Sequence, residues 1–140
     1  MLLLNSIDGA IEHILLFVPA YEAENFAAIY AGLINSLSSQ ITVTLLVQSG
    51  AEAEIDSWTI APSQRARMTI VDVGKGPMTS WACDLFLAST DADGGKMLLA
   101  TPAIERREDN RLPGLLAEQG SPPIVYAAEP FEGGNFLISE

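Results

Sequence analysis

The sequence predicts an α/β fold in a single domain spanning residues 1–140. In its first half, short apolar runs rich in β-branched residues alternate with a segment of helical period. In its second half, a turn signal separates two apolar runs, as in a β-hairpin. The composition agrees, because 49% hydrophobic and 18% charged residues are typical of a chain that forms a core. A chain of 140 residues can bury one sizeable core but not two ordinary ones.

The first half predicts three strands separated by two helices. The run His13–Val18 is apolar and stops at Pro19, as a strand buried on both faces does. The helix predicted over Glu24–Ser39 repeats its apolar residues every three or four positions, namely Phe26, Ile29, Tyr30, Leu33, Ile34 and Leu37. The other elements are a strand over Ile41–Val47, a helix from Ser49 or Gly50 to Pro62, and a strand over Arg67–Val73. Crossovers of this kind favour parallel strands.

The second half predicts a different pattern, in which a hairpin, a helix and a further strand follow one another. The predicted features are a loop over Gly74–Pro77, a strand over Trp81–Ala88, a hairpin turn over Asp91–Gly95, an antiparallel strand over Lys96–Ala100, a solvated charged loop over Glu105–Asp109, a helix over Leu112–Glu118 ended by Gly120, and strands over Ile124–Ala128 and Asn135–Ser139. The last of these strands begins a new hairpin, so we expect the sequence to be cut at Glu140.

The charge balance argues against two classes of partner. Seven Lys and Arg residues against 18 Asp and Glu give a net charge of −11, which disfavours nucleic acids and anionic membrane surfaces. The N-terminus lacks a basic region, and no apolar run approaches the ~20 residues of a membrane span. The single cysteine fits a reducing compartment, so we expect a cytoplasmic protein.

Two segments carry acidic residues in positions suited to a binding site. Trp81 and Asp84 lie at a predicted loop-to-strand junction, where side chains often face a cleft. Glu132 precedes Gly133 and Gly134, and paired glycines allow positive φ angles or the close approach of a ligand. Two carboxylates that converge on one pocket pair well with a guanidinium. The alternatives are a strand-end Asp84 satisfied by backbone amides and a plain hairpin turn at the glycines.

The single cysteine and the single histidine favour structural interpretations. Cys83 adjoins Asp84, whose negative charge disfavours the thiolate that a nucleophile requires, so a small buried thiol is the expected role. His13 lies on the first predicted strand and is expected to be a core or strand-end residue rather than a general base. Neither a metal-site spacing nor a phosphate-loop motif occurs, so we expect no metal and no cofactor.

The two acidic segments, in this order and at this separation, resemble motifs of the guanidine-modifying superfamily, the penteins. This family includes agmatine deiminase, arginine deiminase and the amidinotransferases. Trp81-Ala-Cys-Asp84 is similar to the family's W-x-R-D segment, and Phe131-Glu-Gly-Gly-Asn135 is similar to its EGG[DNS] segment. The resemblance implies a partial pentein-like β/α propeller, which is a ring of ββαβ units with mixed sheets around a central site.

The resemblance also implies roles for individual residues. It assigns Asp84 to contact with the substrate guanidinium and Glu132 to the place of the catalytic glutamate. The residues it assigns to substrate binding are Trp81, Gly133, Gly134 and Asn135. The implied partner is therefore a small guanidino compound or another small cation.

Three departures from the family pattern limit the catalytic expectation. The arginine before the aspartate is Cys83 here, and both the H-x-D histidine and the late nucleophilic cysteine are absent. The resemblance thus covers the first half of the family's domain. It predicts a truncated deiminase-like or amidinotransferase-like domain that keeps the carboxylate half of the site and is inactive alone. The alternative is a stand-alone, non-enzymatic module that binds small cations or another protein.

The predicted partial ring also carries an expectation about assembly. A ring that is not closed leaves strand edges unpaired, and proteins pair or cover such edges. We therefore expect a homo-oligomer, specifically a dimer joined near the predicted strand Asn135–Ser139.

Overall fold

A computed structural model describes residues 2–3, 11–102, 105, 108–119 and 123–131. The chain divides into two compact units, residues 10–80 and residues 1–9 with 81–140, here called the parallel unit and the mixed unit. In chain order the elements are β1 (Leu2–Leu3), β2 (His13–Val18), α1 (Ala23–Ser36), β3 (Thr42–Val47), α2 (Glu52–Ser57), α3 (Pro62–Arg65), β4 (Met68–Asp72), β5 (Phe86–Thr90), β6 (Lys96–Ala100), α4 (Leu112–Glu118) and β7 (Ile124–Tyr126). The predicted α/β class is confirmed.

The parallel unit is a three-stranded parallel sheet in the order β2-β3-β4, with β3 at its centre. The strands fall within one residue of their predicted bounds, because their β-branched and apolar runs give a strong local signal. Val18 and Leu45 point into the core with the helices, while their neighbours Phe17 and Leu46 are buried on the opposite face. Sheet and helices share one cluster of buried side chains, to which α1 contributes Ile34 and α2 contributes Ile55.

Helix α1 buries a narrower face than its apolar residues predict. Phe26, Tyr30 and Ile34 face the core as predicted, and Phe26 stacks on Tyr30 with ring centroids 4.8 Å apart. Ile29, however, exposes 66% of its surface and Leu33 exposes 38%. Two alanines, Ala23 and Ala31, are buried on this helix in their place.

The ends of the helices differ from the prediction for local backbone reasons. Helix α1 ends at Ser36 rather than Ser39, because Leu37 is already extended, with ψ at 147°. Helix α2 ends at Ser57, and Pro62 does not terminate it but begins the separate short helix α3. A proline suits the first helical turn, where its missing N–H has no intrahelical acceptor to lose.

The mixed unit contains a four-stranded sheet in the order β1-β5-β6-β7. β5 and β6 form the predicted antiparallel hairpin, and β6 continues through α4 into β7, which runs parallel to it. The segment from β5 to β7 therefore has ββαβ connectivity. At the hairpin turn, the Asp91 amide donates to the Gly95 carbonyl at 2.9 Å, and Gly94 has a φ of 81°, which favours glycine.

Two predictions for the mixed unit are wrong in detail. The strand predicted over Trp81–Ala88 begins only at Phe86, because residues Ala82–Leu85 form a 3₁₀ turn, here called the Asp84 turn. β7 ends at Tyr126, two residues before the predicted end at Ala128. Strand β1, which pairs antiparallel with β5, was not predicted, since two residues carry no periodic signal.

Other predictions fall outside the described residues, among them the helix end at Gly120 and the strand Asn135–Ser139. The described strands form two open sheets, so the propeller remains a prediction. Among the described residues, no helix is both long and apolar enough to cross a bilayer.

Candidate functional site

The Asp84 turn contains one predicted site residue, Asp84, and directly follows another, Trp81. The Asp84 amide donates to the Trp81 carbonyl at 2.9 Å, which closes the turn. Trp81 exposes 64% of its surface, and Asp84 is half-buried. An aromatic ring and a carboxylate are both groups that a planar cation can use.

Thr101 connects the Asp84 turn to the chain that leads into the second predicted segment. Its backbone amide donates to the Leu85 carbonyl at 3.0 Å, and its hydroxyl accepts the Phe131 amide at 3.0 Å. Only 1% of Thr101 is exposed. The neighbour of Asp84 and the neighbour of Glu132 are thus both hydrogen-bonded to one buried residue.

The second predicted segment itself lies outside the described residues. Glu132, Gly133, Gly134 and Asn135 follow directly on Phe131 in the sequence. Their convergence with Asp84 therefore stays a prediction, which the described chain supports as far as Phe131.

Sequence reasoning missed a second acidic residue beside the turn. Asp109 was predicted to lie in a solvated loop, but it is fully buried in a 3₁₀ turn over Asp109–Arg111. This turn packs against the Asp84 turn. A buried carboxylate requires a partner, and Asp109 has one. Its place just before α4 was a usable signal, because aspartate is favoured at helix N-termini.

His13 fits the structural role predicted for it. Its Nδ1 lies 2.8 Å from the Thr42 hydroxyl, and the two residues are register partners in β2 and β3. Burial lowers the pKa of His13 from its usual value of 6.5. The neutral imidazole is thus favoured at physiological pH. The burial predicted for the Cys83 thiol lies outside what the structure describes.

A separate polar cluster, also missed by sequence reasoning, lies at the carboxyl ends of the parallel strands. Gln48 follows β3, and its side chain accepts the Ala20 amide at 2.9 Å and donates to the Gly76 carbonyl at 3.1 Å. The Ser49 hydroxyl donates to the Asp72 carboxylate at 2.7 Å. These contacts join the loops that follow all three strands, so the cluster has a structural role.

In the parallel unit, a further group of polar side chains connects the loop after β2 to Ser80, the last residue of the unit. The Ser80 hydroxyl donates to the Glu22 carboxylate, and the Tyr21 hydroxyl lies 3.5 Å from the Ser80 oxygen. Within the described part of the chain, no group of three His, Cys, Asp or Glu residues could hold a metal ion. The Asp84 turn with Thr101 is therefore the best candidate site.

Comparison with protein-family models, curated proteins and solved structures found no match for this chain. The pentein resemblance thus rests on the two sequence motifs alone and stays a prediction. Chemically, the described groups offer a carboxylate and an aromatic face to a cation.

Proposed function

We propose that the mixed unit binds guanidino compounds, as the carboxylate half of a deiminase-like or amidinotransferase-like site. In this proposal Asp84 and Glu132 pair with the guanidinium, and Trp81 covers one face of it. Gly133, Gly134 and Asn135 are the further substrate-binding residues of this proposal.

The hydrogen bonding of Thr101 is the observation that supports this proposal most directly. Asp84 and Glu132 are about fifty residues apart in the sequence, so no local structure brings them together. Thr101 is bonded to Leu85 and to Phe131, each the immediate neighbour of one of these acids. The ββαβ connectivity from β5 to β7, which the resemblance implies, adds further support.

Guanidinium is the cation that best matches this arrangement. Its planar fork pairs bidentately with carboxylates and stacks on aromatic rings, whereas an ammonium is a compact point charge. The net charge of −11 raises the local concentration of any cation. We expect a Kd on the order of millimolar, because a half-open site leaves most of the ligand in water.

Ligand titration followed by NMR tests the binding. Agmatine should bind at least several-fold more tightly than a diamine of similar length, and the preference should fall in Asp84→Asn and in Glu132→Gln. Glu105→Gln is the matched control, since Glu105 is an exposed acid elsewhere in the unit. Equal binding of the two ligands, or equal effects of all three substitutions, would contradict the proposal.

Turnover separates an enzyme from a binding module, the second function that the residues favour. Deimination needs a nucleophile and a base at the guanidine carbon. The sequence offers one cysteine, beside the anionic Asp84, and one histidine, hydrogen-bonded to Thr42 on β3. We therefore expect no production of citrulline or carbamoyl-putrescine from arginine or agmatine. Product formation that disappears in Cys83→Ser would show that the chain is an active enzyme.

A further inference from the structure

A serine hydroxyl and a glutamate carboxylate from two distant loops meet beside the parallel sheet. Tyr21 and Glu22 lie in the 3₁₀ turn that follows β2, and Ser80 lies in the loop that follows β4. The Ser80 hydroxyl donates to Oε2 of Glu22, although the two residues are 58 positions apart. Both residues are half-buried, so a small molecule in solution can reach them.

The directions of the hydrogen bonds in this group follow from the chemistry of its members. An ionised carboxylate only accepts, so the single proton of the Ser80 hydroxyl points to Glu22. The Tyr21 hydroxyl, 3.5 Å from the Ser80 oxygen, is then the donor of that pair. This distance is long for a bond between two hydroxyls, so Tyr21 is weakly held. The Ser80 oxygen therefore lies between a base and a hydroxyl donor.

Other contacts hold the two loops that carry the serine and the base. The side chain of Gln48 accepts the Ala20 amide at 2.9 Å and donates to the Gly76 carbonyl at 3.1 Å. Met78, two residues before Ser80, is only 3% exposed and anchors the second loop. The two loops are thus positioned by contacts other than the bond between Ser80 and Glu22, as a reactive pair requires.

We infer that Ser80 is a nucleophile that takes acyl groups from small esters, with Glu22 as its general base. A serine is activated by a base within hydrogen-bond reach, and Glu22 is such a base. This inference concerns the parallel unit and does not depend on the function proposed for the mixed unit. The net charge of −11 favours neutral and cationic esters over anionic ones.

The reaction divides into acylation and hydrolysis. In acylation, the Ser80 oxygen bonds to the ester carbonyl carbon while its proton passes to Glu22. The bond from this carbon to the alcohol oxygen then breaks, and the alcohol leaves with the proton from Glu22. Tyr21 supplies a donor for the carbonyl oxygen, which gains negative charge during the attack. Water, deprotonated by Glu22 in the same way, releases the acid and restores the serine.

Labelling of the full chain with an alkyl fluorophosphonate tests the nucleophile. This probe loses fluoride to an activated serine, whose oxygen bonds to phosphorus while its proton passes to the base. We expect one adduct, located on Ser80 by peptide mass mapping, and none in Ser80→Ala. Glu22→Gln keeps the shape and removes the base, so labelling should slow by about a hundredfold. Tyr21→Phe should slow it by about three- to tenfold, as the loss of one hydrogen bond implies.

Ser57→Ala is the matched control, because Ser57 also donates to a glutamate, Glu54, but within the single helix α2. It should be labelled as fast as the wild type. Hydrolysis of p-nitrophenyl acetate gives the turnover readout, and the three site variants should slow it in the same order.

The labelling pattern of the wild type alone can overturn the inference, whether or not the variants fold. Absence of an adduct, or an adduct on another serine such as Ser49, which also donates to a carboxylate, would exclude Ser80 as the nucleophile. Labelling of Glu22→Gln at the wild-type rate would exclude Glu22 as the base. The agmatine titration is independent of all these outcomes, so the proposed function can stand or fail separately.

Discussion

At the residue scale, Asp72 shows how a surface carboxylate can depend on the fold. It is the last residue of the edge strand β4, where its Oδ1 accepts the Ser49 hydroxyl at 2.7 Å and the Gly74 amide at 2.7 Å. These two hydrogen bonds, that from Ser49 first, lower the pKa of Asp72 from its usual 3.8. Both bonds are stronger to the ionised carboxylate than to the neutral acid, and unfolding of the loop removes them.

The lowered pKa of Asp72 predicts an acid-sensitive contribution to stability. A carboxylate with a depressed folded pKa stabilises the fold above its unfolded pKa, and this contribution is lost as the pH falls through the folded value. We therefore expect Asp72→Asn to lower the urea midpoint at pH 7 and to change it little at pH 2, well below 3.8. Ser49→Ala removes the larger cause and should give the same pattern in weaker form. An equal loss at both pH values for Asp72→Asn would contradict this interpretation.

At the element scale, Gln48 joins the loops that follow β2 and β4. Its side-chain amide is bonded to Ala20 on one side and to Gly76 on the other, so removing it takes away one hydrogen bond from each of the two loops. We expect Gln48→Ala to lower the free energy of unfolding by about 1–2 kcal/mol, as lost hydrogen bonds at a half-buried site do. Gln40→Ala is the matched control at an exposed turn. Chemical denaturation of the two variants measures the difference, and equal losses would refute the role of Gln48.

The elements that could be predicted from the sequence are those with a strong local signal. β2, β3 and β4 have apolar runs. The hairpin turn contains Gly94, and its positive φ is the reason why a glycine is favoured at this position. The Asp84 turn could not be predicted, because a turn of four residues is too short to show a hydrophobic period. The buried face of α1 was also predicted incorrectly in part. Periodicity alone does not show which of Ile29 and Ala31 faces the core.

The sequence predicted which residue types belong to the candidate site but not the hydrogen bonds and turns that position them. Trp81 and Asp84 were chosen from their motif, and the turn that presents them was not expected. Thr101 has no motif, since its role depends on contacts with residues distant in the sequence. The burial of Asp109 was not predicted, because a run of acidic and basic residues does not reveal which of its members is buried.

At the scale of the whole molecule, the chain combines a high negative charge with open sheet edges. The described strands form two sheets whose outer members are β1 and β7 in one and β2 and β4 in the other. A net charge of −11 opposes self-association through long-range repulsion. Open edges favour it, because they present unpaired backbone groups. The salt concentration therefore controls self-association, because salt screens the charge repulsion and leaves hydrogen bonding between strands largely intact.

We expect a dimer joined near the predicted strand Asn135–Ser139, with a dissociation constant that falls as salt is raised from 0.05 to 0.5 M. Light scattering across the micromolar range at several salt concentrations measures it. Ile138→Lys places a charge in this predicted strand and should weaken the dimer at least tenfold. Ile70→Lys makes the same change on β4, where Ile70 is 43% exposed, and should leave the dimer intact. A monomer under all conditions would exclude the dimer, and dissociation by Ile70→Lys alone would move the contact to β4.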